Sequence, residues 1–337
     1  MSAAAKSPSL NRLPELDGVR AASILLILAT HMLPLGPKAW TLNATAGYMG
    51  MSLFFSLSGF LITRFLYKDQ TLSTFMQRRI ARIAPLLILY AFITAIVMEQ
   101  NFAGFAVMVL YIQNYTPSLV VPHTIHIWSL CVEFHFYLTI GLAIALFGRR
   151  GFWIVPIAAL AVMAMKVSTS TFATLQTHLR VDEILAGSML ALVWLNPENR
   201  FAKPVIAALS KGFWIFVVLF FLSSHEIGGL FRHLRPYCGA GVVGSIIFMQ
   251  ENWIRQLARL PILKYIATIS YALYVWHPLT MAGWLGEGGR WELYLIKRPI
   301  SFALSFLLAH LSTHTLEKYF TDLARRNTQP KTDPQKA

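Results

Sequence analysis

Ten apolar runs, each near the length needed to cross a lipid bilayer, constrain this chain more than any other feature. About 17–25 residues of helix at 1.5 Å per residue cover the roughly 30 Å of hydrocarbon. The runs lie at 19–36, 46–67, 83–99, 128–148, 151–166, 181–196, 205–223, 236–250, 263–284 and 299–316. Between them no polar stretch reaches 30 residues, which leaves no room there for a soluble domain. Composition agrees: 56% of the 337 residues are hydrophobic and 13% are charged, whereas soluble domains carry about 25% charged residues. The pattern predicts an all-α integral membrane protein. It excludes a soluble enzyme, a disordered protein and a disulfide scaffold, and the two cysteines, Cys131 and Cys238, both fall in apolar stretches.

The net charge of +14 is read against cytoplasmic anchoring of membrane segments before nucleic acid. A shorter apolar stretch, Phe102–Ile112, is bounded by Gln100-Asn101 and Gln113-Asn114. At about half a bilayer in length it reads as re-entrant or interfacial. If it does not cross and the N-terminus is cytoplasmic, 21 basic residues lie on the cytoplasmic side and 8 on the other. If it crosses, the split is 15 to 14. Lys and Arg collect on the cytoplasmic side of membrane proteins, so the expectation is about ten transmembrane helices with both termini cytoplasmic. Most of the excess charge is then explained, and no nucleic-acid partner is expected. Residues 1–18 read as a cytoplasmic segment without a cleavable leader, 19–320 as the transmembrane domain, and 321–337, polar from about Leu323, as a disordered cytoplasmic tail.

Ionisable residues inside apolar spans are costly and mark function by default. Arg20 and His31 are eleven residues apart on the first helix. Eleven steps of 100° return to within about 20° of the starting face, and the rise is about 16 Å. The pair places a cation at the cytoplasmic rim and an imidazole near mid-membrane, which suits a ligand entering phosphates outermost; a snorkelling Arg with a structural His is the competing explanation. Arg79 and Arg82 stand one turn apart before the third span and offer a double cationic face to phosphate, or serve as ordinary basic anchors. Glu133, with Tyr137 one turn on, opens the fourth long span behind Trp128. A desolvated carboxyl there is a candidate proton donor or acceptor; an aromatic belt with a packing ion pair is the alternative. Arg180, Asp182 and Glu183 open the sixth span, and His277 follows an aromatic run near the end of the ninth. His310, His314 and Glu317 recur at near-helical spacing without the flanking ligands of a metal site, so no metal is expected. Asn43-Ala44-Thr45 matches a glycosylation acceptor and carries no weight by itself.

Taken in order, these pieces resemble the membrane-bound acyltransferase 3 family. The resemblance rests on Leu16-Asp17-Gly18-Val19-Arg20 with the ten-residue gap to His31, and on Phe54 through Ile62. It continues with Arg78-Arg79-Ile80-Ala81-Arg82-Ile83-Ala84-Pro85 and Trp128-Ser129-Leu130-Cys131-Val132-Glu133. Arg180-Val181-Asp182 with Gly187, Ser270 through Tyr274 with His277, and Glu317-Lys318 complete it. It covers about Leu16 to Phe320. One departure is that many members follow the first Glu with a second Glu and Gln, where this chain has Phe134 and His135, so Glu133 is the one carboxylate of that motif. Members fused to a soluble hydrolase-like domain also exist, and this sequence shows no such region.

The resemblance implies a bacterial cytoplasmic (inner) membrane O-acyltransferase. It would use acyl-coenzyme A, most simply acetyl-CoA, as co-substrate, with no permanently bound cofactor, and a carbohydrate-containing acceptor hydroxyl. It implies His31 as general base or acyl carrier and Glu133, which would orient His31 or contact the acceptor, as catalytic residues. Arg20, Arg79 and Arg82 would bind the cofactor phosphates, and Trp128, Tyr137, Arg180, Asp182 and His277 the substrate. The competing class is a secondary transporter with intramembrane His and Glu, but the chain shows no two related halves with matching broken spans.

Overall fold

The computed structural model describes residues 12–68 and 71–328. The described residues form helices joined by turns and loops, with no strand among them. In chain order the principal helices are α1 (Glu15–Met32), α2 (Leu42–Lys68), α3 (Leu72–Ala91), α4 (Phe102–Val109), α5 (Trp128–Phe147), α6 (Ile154–Ser168) and α7 (Asp182–Leu195). They continue as α8 (Ala202–Lys211), α9 (Phe213–Ser224), α10 (Arg235–Phe248), α11 (Trp253–Ala258), α12 (Pro261–Trp276), α13 (Arg298–Ser312) and α14 (Lys318–Thr328). Among the described residues, four helical stretches are long and apolar enough to cross a membrane: Leu42–Lys68, Leu72–Met98, Ile125–Ser168 and Arg290–Asn327. A fifth arises if the bent pair α8–α9 counts as one span.

Several expectations are corrected. The apolar run at 205–223 is two helices bent by 91° at Gly212, where a Cβ would stand 2.7 Å from the Ala208 carbonyl oxygen. The run at 263–284 stops being α-helical at Trp276, because Pro278 has no N–H to continue the ladder. The short stretch read as re-entrant or interfacial is not among these corrections; it holds an eight-residue helix, about 12 Å long. Asn101 caps it by accepting a hydrogen bond from the Gly104 N–H at 2.7 Å. At the C-terminal end, α14 runs to Thr328, so helix replaces the expected tail over 321–328, while 329–337 lie outside the described residues. Asn43 is a structural cap: its amide donates to the carbonyls of Thr30 at 2.9 Å and Leu33 at 2.7 Å, closing the C-terminal end of α1.

The chain divides into two compact units. The first comprises residues 1–68, 153–174 and 178–270. Its central feature is the crossing of α2 and α7 at two glycines. A Cβ on Gly59 would lie 1.9 Å from the Ile184 carbonyl oxygen, and one on Gly187 would lie 1.9 Å from that of Ser56. Only hydrogen fits at either position, so the backbones touch, as small residues allow between apolar helices. Ser188 Oγ donates to the Gly59 carbonyl at 3.3 Å across the crossing. Gly18 likewise brings α1 against Ala258 of α11, where a Cβ would lie 2.4 Å from the Ala258 carbonyl oxygen, and buried Glu15 binds Arg255 at 2.7 Å and Arg259 at 3.3 Å. These contacts explain why the motifs around Gly18, Phe54–Ile62 and Gly187 have the residues they do.

The second unit comprises residues 69–152, 175–177 and 271–337. Here α5 lies against α3, with Phe75 and Tyr137 edge to face at 5.6 Å. The Tyr271 hydroxyl donates to the Ile83 carbonyl at 2.6 Å, tying α3 to α12. The Trp276 indole N–H donates to Ser312 Oγ at 2.8 Å, tying α12 to α13.

Candidate active site

In the first unit, α1 carries Arg20 half-buried and His31 exposed, two residues that the helical repeat sets on one face. His31 is held at a fixed height, because the capping amide of Asn43 and the Thr30 hydroxyl, which lies 3.0 Å from the Asn43 carbonyl, lock the last turn of α1.

The other candidates of this unit, Arg180 and Asp182, belong to a buried charge cluster. Lys166 Nζ donates to Asp182 Oδ2 at 2.5 Å. Glu183 Oε1 accepts from Arg235 Nε at 2.9 Å and from Arg180 Nη1 at 3.1 Å. All five residues are at most 5% exposed. The guanidinium of Arg235 also stacks on the Tyr48 ring at 4.6 Å, and that of Arg180 lies 5.9 Å from Phe55. Lys166, Arg180 and Arg235, which the charge count places in loops on the far side, are therefore not solvent-facing loop charges. Burial makes such charges expensive unless paired, and here they are paired. Lys166 and Arg235 are the site residues that sequence reading missed. The usable signal was their position at the edges of apolar runs, where an ionised side chain requires a partner.

His233, in the segment before α10, is buried beside this cluster with its ring 4.5 Å from that of Phe172. Its imidazole is held below the usual histidine range by burial first, and then by the cations Lys166, Arg232 and Arg235, partly opposed by Asp182. It is neutral in the folded protein.

In the second unit, Arg79 and Arg82 sit half-buried on consecutive turns of α3. The Arg79 guanidinium lies 5.6 Å from the rings of both Phe75 and Tyr137, so a predicted phosphate ligand and a predicted substrate residue are in direct contact. Glu133 and Tyr137 are buried on one face of α5, and Arg79, Glu317, Tyr137 and Glu133 all act electrostatically on Arg82. Thus α3, α5 and the last helical stretch gather two guanidiniums, two carboxyls and a phenol. Trp128 is half-buried at the first position of α5.

The two residues that depart from the usual motif pack in different places: Phe134 stacks on Tyr111, just past α4, at 4.2 Å, and His135 Nδ1 contacts Thr177 Oγ1, between α6 and α7, at 2.7 Å. His277 is fully buried immediately past α12. Its Nδ1 lies 2.8 Å from the Tyr274 carbonyl.

The acyltransferase domain of the acyltransferase 3 family matches residues 13–314, a stretch that includes every candidate residue from Arg20 to His277. A candidate O-acetyltransferase of Staphylococcus aureus strain COL is 27% identical over 316 residues, covering 81% of this chain and 51% of that protein. The O-acetyltransferase OatA of S. aureus strain NCTC 8325 is 23% identical over 309 residues, covering 79% of this chain and 50% of that protein. The chain thus spans about half the length of these relatives. No solved structure matches it significantly. The chain belongs to the acyltransferase 3 family.

Proposed function

We propose that this chain is a membrane O-acyltransferase that moves an acyl group, in the simplest case acetyl, from cytoplasmic acyl-coenzyme A to a hydroxyl of a carbohydrate-containing acceptor. The single observation that carries the reading is the family match across 13–314. The names of the S. aureus relatives point to O-acetyl transfer. We place the chain in a bacterial inner membrane with about ten spans and both termini cytoplasmic, supported by the 21-to-8 asymmetry of basic residues.

In this reading the guanidiniums of Arg79 and Arg82, one turn apart and half-buried, grip the phosphates of coenzyme A, where planar two-point donors outperform a point charge. Arg20 adds a third cation at the rim of α1. The pantetheine arm carries the thioester toward mid-membrane depth. His31 takes the proton of the acceptor hydroxyl as its oxygen attacks the acyl carbon. The ester C–O bond forms, the C–S bond breaks, and the proton passes to the departing thiolate. In the two-step version His31 is itself acylated before the acceptor attacks. Glu133 is the second candidate catalytic group, and Trp128, Tyr137, Arg180, Asp182 and His277 are assigned to acceptor binding.

The test is acyl transfer by the purified chain in nanodiscs with isotope-labelled acetyl-CoA and a panel of glycan acceptors. Label appearing as an alkali-labile ester with wild type and not with His31→Ala supports the reading. Free coenzyme A without any esterified acceptor across the panel opposes it.

A further inference from the structure

His126, two residues before Trp128, is a buried histidine of the second unit with several ring and polar contacts, and the proposed mechanism leaves it without a role. Its ring is buried between Tyr90 and Tyr274, with centroids 5.5 and 5.3 Å away, and stands 5.4 Å from His277. Two polar contacts join it to consecutive residues of α12. Its Nε2 lies 3.2 Å from the Val275 carbonyl, and its own carbonyl accepts the Tyr274 hydroxyl at 2.6 Å. Ser129 Oγ lies 2.7 Å from the same hydroxyl. Because that phenol already gives its proton to His126, Ser129 must be the donor to it. The loop carrying His126 is held in turn by Tyr90, whose hydroxyl donates to the His123 carbonyl at 2.7 Å.

Tautomers follow from these contacts, since a carbonyl oxygen only accepts. His126 carries its proton on Nε2, toward Val275. His277 carries its proton on Nδ1, toward Tyr274, which makes Nε2 the hydrogen-bond-accepting nitrogen of the neutral ring. The carbonyl that fixes the His277 tautomer thus belongs to the residue whose side chain His126 anchors. The same contacts tie the chain just before α5, which bears Trp128 and Glu133, to the end of α12.

We propose that His126 is a positioning residue of the acyl-transfer site: through its ring and its main-chain carbonyl it fixes Tyr274 and Val275, and Tyr274 in turn fixes the tautomer and orientation of His277. The assignment rests on the reading of this chain as an acyltransferase, with His277 meeting the acceptor hydroxyl. Loss of the ring donor lets the end of α12 shift, and displacements of about 1 Å at such sites cost up to about a hundredfold in rate.

The experiment uses the full chain in nanodiscs with three variants. His126→Phe removes the donor, His126→Gln keeps an N–H for Val275, and Tyr274→Phe removes the hydroxyl while leaving the carbonyl. Transfer kinetics are measured alongside ¹⁵N-histidine NMR, which distinguishes Nδ1–H from Nε2–H rings. The expected result is that His126→Phe and Tyr274→Phe lose about tenfold or more in kcat with the KM for acyl-CoA unchanged. His277 then turns from a single Nδ1–H form to a mixture, and His126→Gln restores both properties. Unaltered kcat in His126→Phe, or an unaltered His277 spectrum in both phenylalanine variants, overturns the assignment. A wild-type chain that transfers no acyl group sinks the acyltransferase reading instead, while the NMR arm still decides whether His126 governs His277.

Discussion

Glu183 joins two arginines from different segments of the first unit, and substituting it tests how that unit is held together. Its Oε1 accepts from Arg235 Nε at 2.9 Å and from Arg180 Nη1 at 3.1 Å, with all three side chains at most 3% exposed. At charge separations near 4 Å and an effective dielectric of about 20, each pair is worth about 4 kcal/mol of attraction. Much of that is offset by the desolvation of three ions. What survives is the asymmetry of breaking it: removing one partner of a buried pair costs about 3–5 kcal/mol, because the remaining charge stays buried and uncompensated. Glu183→Gln keeps the shape, removes the charge and leaves two guanidiniums facing an amide. The expected loss is therefore about 3–5 kcal/mol, read as a lowered midpoint in denaturant titration of the protein in micelles. Replacing Arg235 by Met in the same background removes one of the stranded cations. The double variant Glu183→Gln/Arg235→Met should then be more stable than Glu183→Gln alone. A loss below about 1 kcal/mol for Glu183→Gln, the scale of an exposed pair, would refute the reasoning and show that the cluster is hydrated in solution.

Other expectations follow from the same structure. Gly59→Ala or Gly187→Ala places a methyl 1.9 Å from a carbonyl oxygen. Overpacking of this kind costs about 1–3 kcal/mol or more, so either variant should unfold at lower temperature, whereas Gly289→Ala, with nothing within 4 Å and an ordinary φ of −67°, should not. Arg79→Gln and Arg82→Gln should each raise the KM for acyl-CoA while leaving the acceptor KM near wild type, measured by initial rates. His233 is neutral when folded because burial and neighbouring cations lower its pKa. Between the folded value and the ordinary value near 6.5 the unfolded chain binds more protons, so stability must fall as pH drops below about 6.5. His233→Phe should flatten that slope between pH 7.5 and 5.5, as followed by thermal unfolding.

The sequence revealed most of the helices and less of what joins them. Apolar runs mark where helices lie because burial and backbone satisfaction in an apolar medium are both local properties of a segment. The bend at Gly212 was missed because the run at 205–223 was read straight through Ser210-Lys211-Gly212, the one polar interruption between its two apolar halves. The charge count that sorted basic residues by side treated Lys166, Arg180 and Arg235 as loop residues. Sequence position placed them between spans, but their partners, Asp182 and Glu183, are set by tertiary packing. Arg235 meets Glu183 across 52 residues of chain, a separation that no periodicity reports. The spacing of Arg20 and His31 and that of Arg79 and Arg82 were legible because each pair lies on a single helix. His126 was not singled out by the sequence at all. Its significance comes from carbonyls on α12, which sequence spacing does not reveal.

The central claim is acyl transfer that depends on His31, and it is tested most directly by mass spectrometry of surface polysaccharides and secreted glycosylated metabolites in the host. The comparison is among a deletion strain, the strain complemented with wild type, and one complemented with His31→Ala at equal membrane abundance. The account predicts that one acyl mass disappears in the deletion, returns with wild type and stays absent with His31→Ala. Full restoration by His31→Ala would contradict the assigned role of His31, and an acyl profile identical in all three strains would contradict the acyltransferase reading itself.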